Sequence, residues 1–244
     1  ITINPQGLIA SFNKAASLMF GYTAAEVIER HVSLLIPESQ RSQSEHYLQL
    51  LPTTGESPLF NQPRDLEGRH QDGHVFPLRL SVSRIIRGGQ AVLIGIARDL
   101  TQHRRDKEKI HTLAYYDTLT GLPNRRLFHA RVVQAILRGR RHGEPVAVLI
   151  VDIDRFKEVN DTLGHHSGDL MLQEIGRRLR ASLRESDTVA RLGGDEFGVL
   201  APRIQDAAAA EGLAGTLAAA IAAPMVIDAI SLENQASIGI ALFP

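Results

Sequence analysis

Apolar and polar positions change rhythm several times along the chain, and each change marks an element. Thr2-Ile3 and Leu8 to Phe12 flank Asn4-Pro5-Gln6-Gly7, where proline presets φ and glycine closes a turn. Asn13 stands where it caps a short helix through Phe20, and Thr23-Ala24-Ala25-Glu26 is a capping box opening a second one. Asp72-Gly73 joins two strand-like runs, Val75 to Ser83 alternates, and Gly88-Gly89 leads into Gln90 to Ala97. Two strands, short helices and three strands make an α+β module. The charged stretch Gln102 to Leu113 then reads as a helix capped by Thr101. Only Ile110 and Leu113 are apolar there, so a solvated connector and a short parallel coiled coil both stay open.

The second half follows a different pattern. Asn124 caps a helix whose apolar stripe is Phe128, Val132, Ala135 and Ile136, ending near Gly139. Val146 to Val151 is continuously apolar, which predicts a strand buried on both faces. Phe156 to Leu163 is a short helical stretch, Gly164 to Gly168 a loop, and Asp169 the cap of a longer helix carrying Leu172, Ile175, Leu179 and Leu183. Gly193-Gly194 sits between two β-like runs, a hairpin signal over Thr188 to Leu200. After an alanine-rich amphipathic helix, Ala236 to Leu242 reads as another buried strand.

Composition narrows the possible functions. The 244 residues carry 27 basic and 27 acidic side chains, so no net field recruits nucleic acid. There is no cysteine, which removes disulfides, thiolate metal sites and cysteine nucleophiles. No apolar run approaches a membrane span and no signal peptide is visible, so the domains are expected to be cytoplasmic. The chain opens at Ile1, inside a strand-like run and without methionine. It is read as a fragment, and membrane tethering through upstream sequence stays open.

The chemistry gathers at two strand ends. Alternation puts Asp152 and Asp154 on one side of their strand and Ile153 on the other. If that strand pairs with the glycine hairpin, Asp152, Asp195 and Glu196 can converge. Carboxylates so close repel unless a hard cation lies between them, and such oxygen donors suit Mg²⁺ beside nucleotide phosphates. The residues alone therefore point to metal-assisted phosphoryl transfer.

Three co-ordered segments then carry a resemblance. Arg191 to Phe197, Asp152 to Lys157 with Asn160-Asp161, and Asp117-x-Leu119-Thr120-Gly121-Leu122-x-Asn124-Arg125 resemble the GGDEF family of diguanylate cyclases, over roughly Leu113 to the end. The resemblance implies a ferredoxin-like palm, a sheet carrying helices on one face. It implies a homodimer joining two GTP into cyclic di-GMP with release of two pyrophosphates. Asp152 and Asp195, with the Ile153 carbonyl, would ligate Mg²⁺ or Mn²⁺. Glu196 would be a further ligand or the proton acceptor for the attacking ribose hydroxyl. Phe156 amides and Lys157 would hold phosphates, Gly193 and Gly194 would make room for the nucleotide, and Asn160 and Asp169 would contact guanine. Asp169 is expected to serve as helix cap as well. Arg184 and Asp187 match the family's product-inhibition spacing. His165 and His166 are assigned to no metal. A downstream phosphodiesterase domain of the EAL type, with this half acting as its GTP sensor, is the main rival. A non-catalytic nucleotide-binding dimerisation module is the second.

Residues 1–100 resemble a PAS sensor through Asn13-Lys14-Ala15-Ala16, Phe20-Gly21-Tyr22, Gly68 to Gly73, Phe76-Pro77 and Arg98-Asp99-Leu100-Thr101. The nearest flavour is that of oxygen-sensing haem PAS domains. Where those place the ligating histidine this chain has Pro58, which cannot bind iron, so haem is not expected and the PAS ligand is unassigned. His70 and His74 flank a turn and are read as solvated. The predicted organisation is a sensor over 1–100, a linker helix over 101–114 and an incomplete GGDEF domain over 115–244.

Overall fold

The computed structural model describes residues 1–41, 62–87, 90–228 and 230–244. Pro58 and the Gly88-Gly89 junction lie outside them. The chain divides into two compact units, Ile1–Glu108 and Lys109–Pro244.

The first unit is an antiparallel five-stranded sheet in the order β2-β1-β5-β4-β3, from β1 (Thr2–Ile3), β2 (Ile9–Ser11), β3 (Arg64–Arg69), β4 (Val75–Arg87) and β5 (Gln90–Asp99). Helices α1 (Lys14–Phe20) and α2 (Ala24–Val27) and a 3-10 turn at Val32–Leu35 supply much of its apolar cover. Ile9, Phe12, Phe20, Val27, Phe76 and Leu78 form the core, with the Phe20 and Phe76 rings 5.4 Å apart. The Asn13 side chain accepts the Ala16 amide, and Glu26 accepts both the amide and the hydroxyl of Thr23.

Helix α3 (Thr101–Tyr115) corrects one cap. Thr101 is already helical and its amide donates to Asp99 Oδ1 at 2.7 Å. The flanking position is Leu100, whose carbonyl accepts the Arg104 amide, and the aspartate side chain one residue further upstream satisfies the Thr101 amide. Ile110 and Leu113 are exposed. No helix among the described residues is long and apolar enough to cross a membrane.

In the second unit a four-stranded antiparallel sheet runs β11-β6-β8-β7, from β6 (Val146–Ile153), β7 (Thr188–Gly193), β8 (Glu196–Pro202) and β11 (Ala236–Phe243); β9 (Met225–Ile227) and β10 (Ile230–Leu232) pair separately. Its helices are α4 (Arg125–His142), α5 (Phe156–Leu163), α6 (His165–Ala181) and α7 (Ala207–Ala222). They do not all lie on one face. Ala147, Leu149, Val151, Phe197 and Val199 pack with Met171, Ile175 and Leu179 of α6 and Leu217 and Ile221 of α7. Their strand neighbours Val146, Ala190 and Leu200 pack with Phe128 and Ala135 of α4 on the opposite side. That second cover is partial. Ile150 is 39% exposed and Asp152 is open, so β6 is buried throughout on one face only.

Three other expectations change. α4 runs past Gly139 to His142, because the stop is Gly143 in the left-handed region at φ 67°. A Cβ on Gly139 would press on the Glu144 carbonyl and Val146 Cγ2, so that glycine serves close packing. α6 begins at His165, since Gly164 (φ 85°) turns the chain within one residue. Residues 165–168 are therefore helix, and Asp169 sits inside α6 as an exposed side chain with no capping place. β11 is an edge strand, largely exposed, with Ile240 39% and Leu242 43% accessible.

Candidate functional site

Strand register brings the two acidic ends together. Asp152 pairs directly with Glu196 across β6 and β8, and the Ile153 amide approaches the Asp195 carbonyl at 3.4 Å. Alternation sends Ile153 into the core and leaves Asp152 and Glu196 on the face of the sheet that α4 half covers. Burial pushes the Asp152 carboxyl above its ordinary range, and the charges of Asp195, Glu196 and Asp154 push it further. Ser237, opposite Asp152 on β11, donates its hydroxyl to Asp154 at 2.9 Å.

The three acids share one end of the sheet without closing into a ligand cluster. Among the described residues, the one group of three or more ligand-type side chains whose donor atoms lie within 4.8 Å of one another is elsewhere. Glu196 is taken up by Arg125, whose Nη2 donates to Oε2 at 2.9 Å. The donor set still fits a hard divalent cation. It consists of oxygens at a partly exposed strand end where burial and then neighbouring negative charge both raise the Asp152 carboxyl.

The turn between β7 and β8 needs glycine. Gly193 and Gly194 have φ of 142° and 55°, and nothing lies within 4 Å of a Cβ built on either. Open space above them is room for a ligand. Two arginines brace this turn, a role the sequence reading does not assign. Arg191 donates from Nε and Nη2 to the Gly194 carbonyl at 3.0 and 2.8 Å, and from Nη1 to both Asp117 oxygens at 3.2 Å. Arg125 donates from Nε to the Leu192 carbonyl at 2.9 Å. Asp117 in turn accepts the amide and hydroxyl of Thr120. Burial raises the cost of ionising Asp117, but the Thr120 bonds and the Arg191 charge outweigh it, and the carboxyl lies below the ordinary range. Segment 117–125 is thus the scaffold of the hairpin. Its legible signal is Asp117-x-x-Thr120, a side-chain turn pattern.

At the exit of β6, Arg155 adopts a left-handed φ of 58°, which turns the chain into α5. The first main-chain bonds of α5 are the Glu158 and Val159 amides to the Arg155 carbonyl, leaving the Phe156 and Lys157 amides ahead of them as orphan donors. Lys157 is exposed and Asn160 half-buried. A methyl on Gly168 would run into Asn160 Oδ1, so that bare position seats the Asn160 amide against α6, one residue before Asp169.

Arg184 and Asp187 separate into two roles. Asp187 is 6% exposed, and its carboxylate accepts the Arg184 amide at 3.1 Å and the Ser186 hydroxyl at 3.2 Å. It shapes the turn that presents the exposed Arg184 side chain. A cavity of about 260 Å³ beside them is lined by Arg184, Arg203 and Thr216, among others. A wider groove of about 1080 Å³, with Arg131, Arg138 and Arg180 on its walls, reaches the same turn from the end of the sheet opposite the acids.

Comparison with known proteins agrees with both halves. A family model described as "Diguanylate cyclase, GGDEF domain" matches residues 114–244, and one for the PAS domain matches residues 1–102. The chain is 47% identical over 132 residues to the diguanylate cyclase TpbB of Pseudomonas aeruginosa, covering 54% of this chain and 30% of that protein. It is 46% identical over 144 residues to the bifunctional diguanylate cyclase/cyclic di-GMP phosphodiesterase MucR of the same organism, covering 59% of this chain and 21% of that one. A solved structure of the TpbB GGDEF domain superposes with a TM-score of 0.52 at 46% identity, over 53% of this chain and 76% of that one. The chain thus spans less than a third of the length of these two curated relatives.

Proposed function

Since the chain belongs to the GGDEF family of diguanylate cyclases and carries a PAS domain ahead of that half, we propose that it condenses two GTP into cyclic di-GMP and two pyrophosphates as a homodimer. On this reading residues 1–100 are the sensor, 101–114 the connecting helix and 115–244 the catalytic half. One observation carries it: the register that pairs Asp152 with Glu196 and places Asp195 beside them, next to an open glycine turn and the orphan amides of α5.

Asp152, Asp195 and the Ile153 carbonyl would hold Mg²⁺ (or Mn²⁺), which when bound neutralises phosphate charge at the reacting end of the nucleotide. The Phe156 and Lys157 amides and the Lys157 ammonium would grip the outer phosphates at the start of α5. Asn160 and Asp169 would read guanine, whose adjacent N–H donors a carboxylate accepts and adenine does not offer. Glu196, steadied by Arg125, would accept the proton of the attacking ribose 3′-hydroxyl. Each protomer presents one GTP to the other, so orientation of two half-sites governs the rate. Incubating the protein with GTP and Mg²⁺ and separating the products tests the reading: cyclic di-GMP and pyrophosphate in a 1:2 ratio are expected, and unchanged GTP would refute it.

The relation to MucR keeps a second reading in play, in which this half binds GTP and stimulates an attached phosphodiesterase. GTP-stimulated hydrolysis of cyclic di-GMP by the full-length protein, with no synthesis, would select it.

Two further outcomes are expected. Gly168→Ala should raise the Kd for GTP roughly tenfold or more through displacement of Asn160, measured by calorimetry, with the melting temperature little changed. Arg184→Ala should leave the initial rate unchanged but abolish the slowing that sets in as product accumulates, because the guanidinium that pairs with phosphate and stacks on a base is gone. Progress curves with added cyclic di-GMP measure it.

A further inference from the structure

Among the described residues, the cluster that does close to ligand distance lies in the first unit, at the turn joining β3 to β4. His70 Nδ1 and His74 Nδ1 stand 3.0 and 2.6 Å from the same atom, Asp72 Oδ1. The two imidazoles are stacked, centroids 4.5 Å apart with 23° between planes. The donor atoms of all three residues lie within 4.8 Å of one another. We propose that His70, Asp72 and His74 form a binding site for a borderline divalent transition cation, Zn²⁺ foremost.

The argument rests on donor type, convergence and anchoring. Two imidazole nitrogens with one carboxylate suit Zn²⁺ and disfavour Mg²⁺, which prefers oxygen. Zinc bonds of about 2.0–2.2 Å in a tetrahedron put neighbouring ligand atoms about 3.3 Å apart. Reaching that spacing requires the exposed His74 ring to swing out of its stack on His70, whose own ring stays over Gly21. His74 and Asp72 are exposed, so the fourth position would be open to water. The His70 ring, in contrast, is held. It fits over Gly21, the left-handed residue ending α1, where a Cβ would overlap Nε2. The turn is pinned there too, by the Gln71 amide donating to the Phe20 carbonyl at 2.9 Å. With Nε2 turned to Gly21, His70 presents Nδ1 to the shared point. Alternate residues 70, 72 and 74 thus deliver their donors to one side of a hydrogen-bonded turn, and the expectation that both histidines are merely solvated is corrected for His70, whose side chain is 24% exposed.

The test is Zn²⁺ titration of the metal-free chain in excess Mg²⁺, which competes at all-oxygen sites and not at imidazole nitrogen. Calorimetry gives the stoichiometry, and histidine ring ¹⁵N shifts identify the ligating nitrogens. One equivalent is expected, shifting His70 and His74 at Nδ1. His74→Ala should weaken binding by about tenfold or more, while His166→Ala binds as the parent does. Should His70→Ala fail to fold, His74→Ala decides alone, since its ring is exposed and its loss opens no cavity. Undiminished binding by His74→Ala, shifts at other histidines, or no binding at all would overturn the assignment.

Discussion

Asp195→Asn is expected to cut cyclic di-GMP formation by about a hundred- to a thousandfold, the scale set by removing one preorganised electrostatic partner of a transition state. The substitution keeps the shape of the side chain and removes its charge. Asp195 lies in the turn, half-exposed, and its main chain is held by β-pairing on both sides, so the fold should survive. Chromatographic product assay beside thermal melting separates the two effects. An independent readout comes from Asp152. Its carboxyl is raised by burial and then by Asp195, Glu196 and Asp154. In Asp195→Asn one of those charges is gone, so the Asp152 carboxyl should titrate at lower pH, seen by carbon-detected NMR. Parent-like synthesis in this variant would remove the acidic turn from the chemistry.

Arg191→Ala should cost both stability and turnover. The side chain is only 14% exposed and links the Gly194 carbonyl to Asp117, itself 22% exposed. Removing it leaves a half-buried carboxylate with Thr120 alone, a loss of about 2–3 kcal/mol for a pair this sheltered, read by urea denaturation. Because all three guanidinium nitrogens of Arg191 are engaged by the Gly194 carbonyl and Asp117, kcat should fall more than KM rises. Arg191→Lys should rescue little, since an ammonium cannot span two acceptors as the planar guanidinium does. The same brace predicts acid lability. The Asp117 carboxyl is lower when folded than when unfolded, so its contribution is full above the ordinary aspartate pKa and disappears as pH falls through the depressed value. Asp117→Asn should flatten that part of the stability–pH profile.

Local rules were legible wherever a residue acts on its own neighbours. Asn13 and Asn124 cap the helices that their positions announce, and Gly193-Gly194 turns the hairpin. Composition misleads where the backbone conformation of one glycine, or a partner outside the element, decides the outcome. Gly139 looked like a stop but is an approach point for Glu144 and Val146. Residues 165–168 looked like a loop because glycines bracket them, but Gly164 alone makes the turn. β11 reads as buried from its composition, but it lies at the sheet edge. Arg125 and Arg191 carry no periodicity at all, and their targets lie 67 and 74 residues away at Leu192 and Asp117.

Adjacent residues suffice to put Asp152 and Ile153 on opposite sides of their strand and to turn the chain at the glycine pair beside Asp195, since alternation and turn chemistry are local. That Asp152 meets Glu196, and that Arg125 and Arg191 hold the glycine turn, follows from the folded chain. Register and side-chain convergence depend on packing between segments far apart in the chain, which no local pattern encodes.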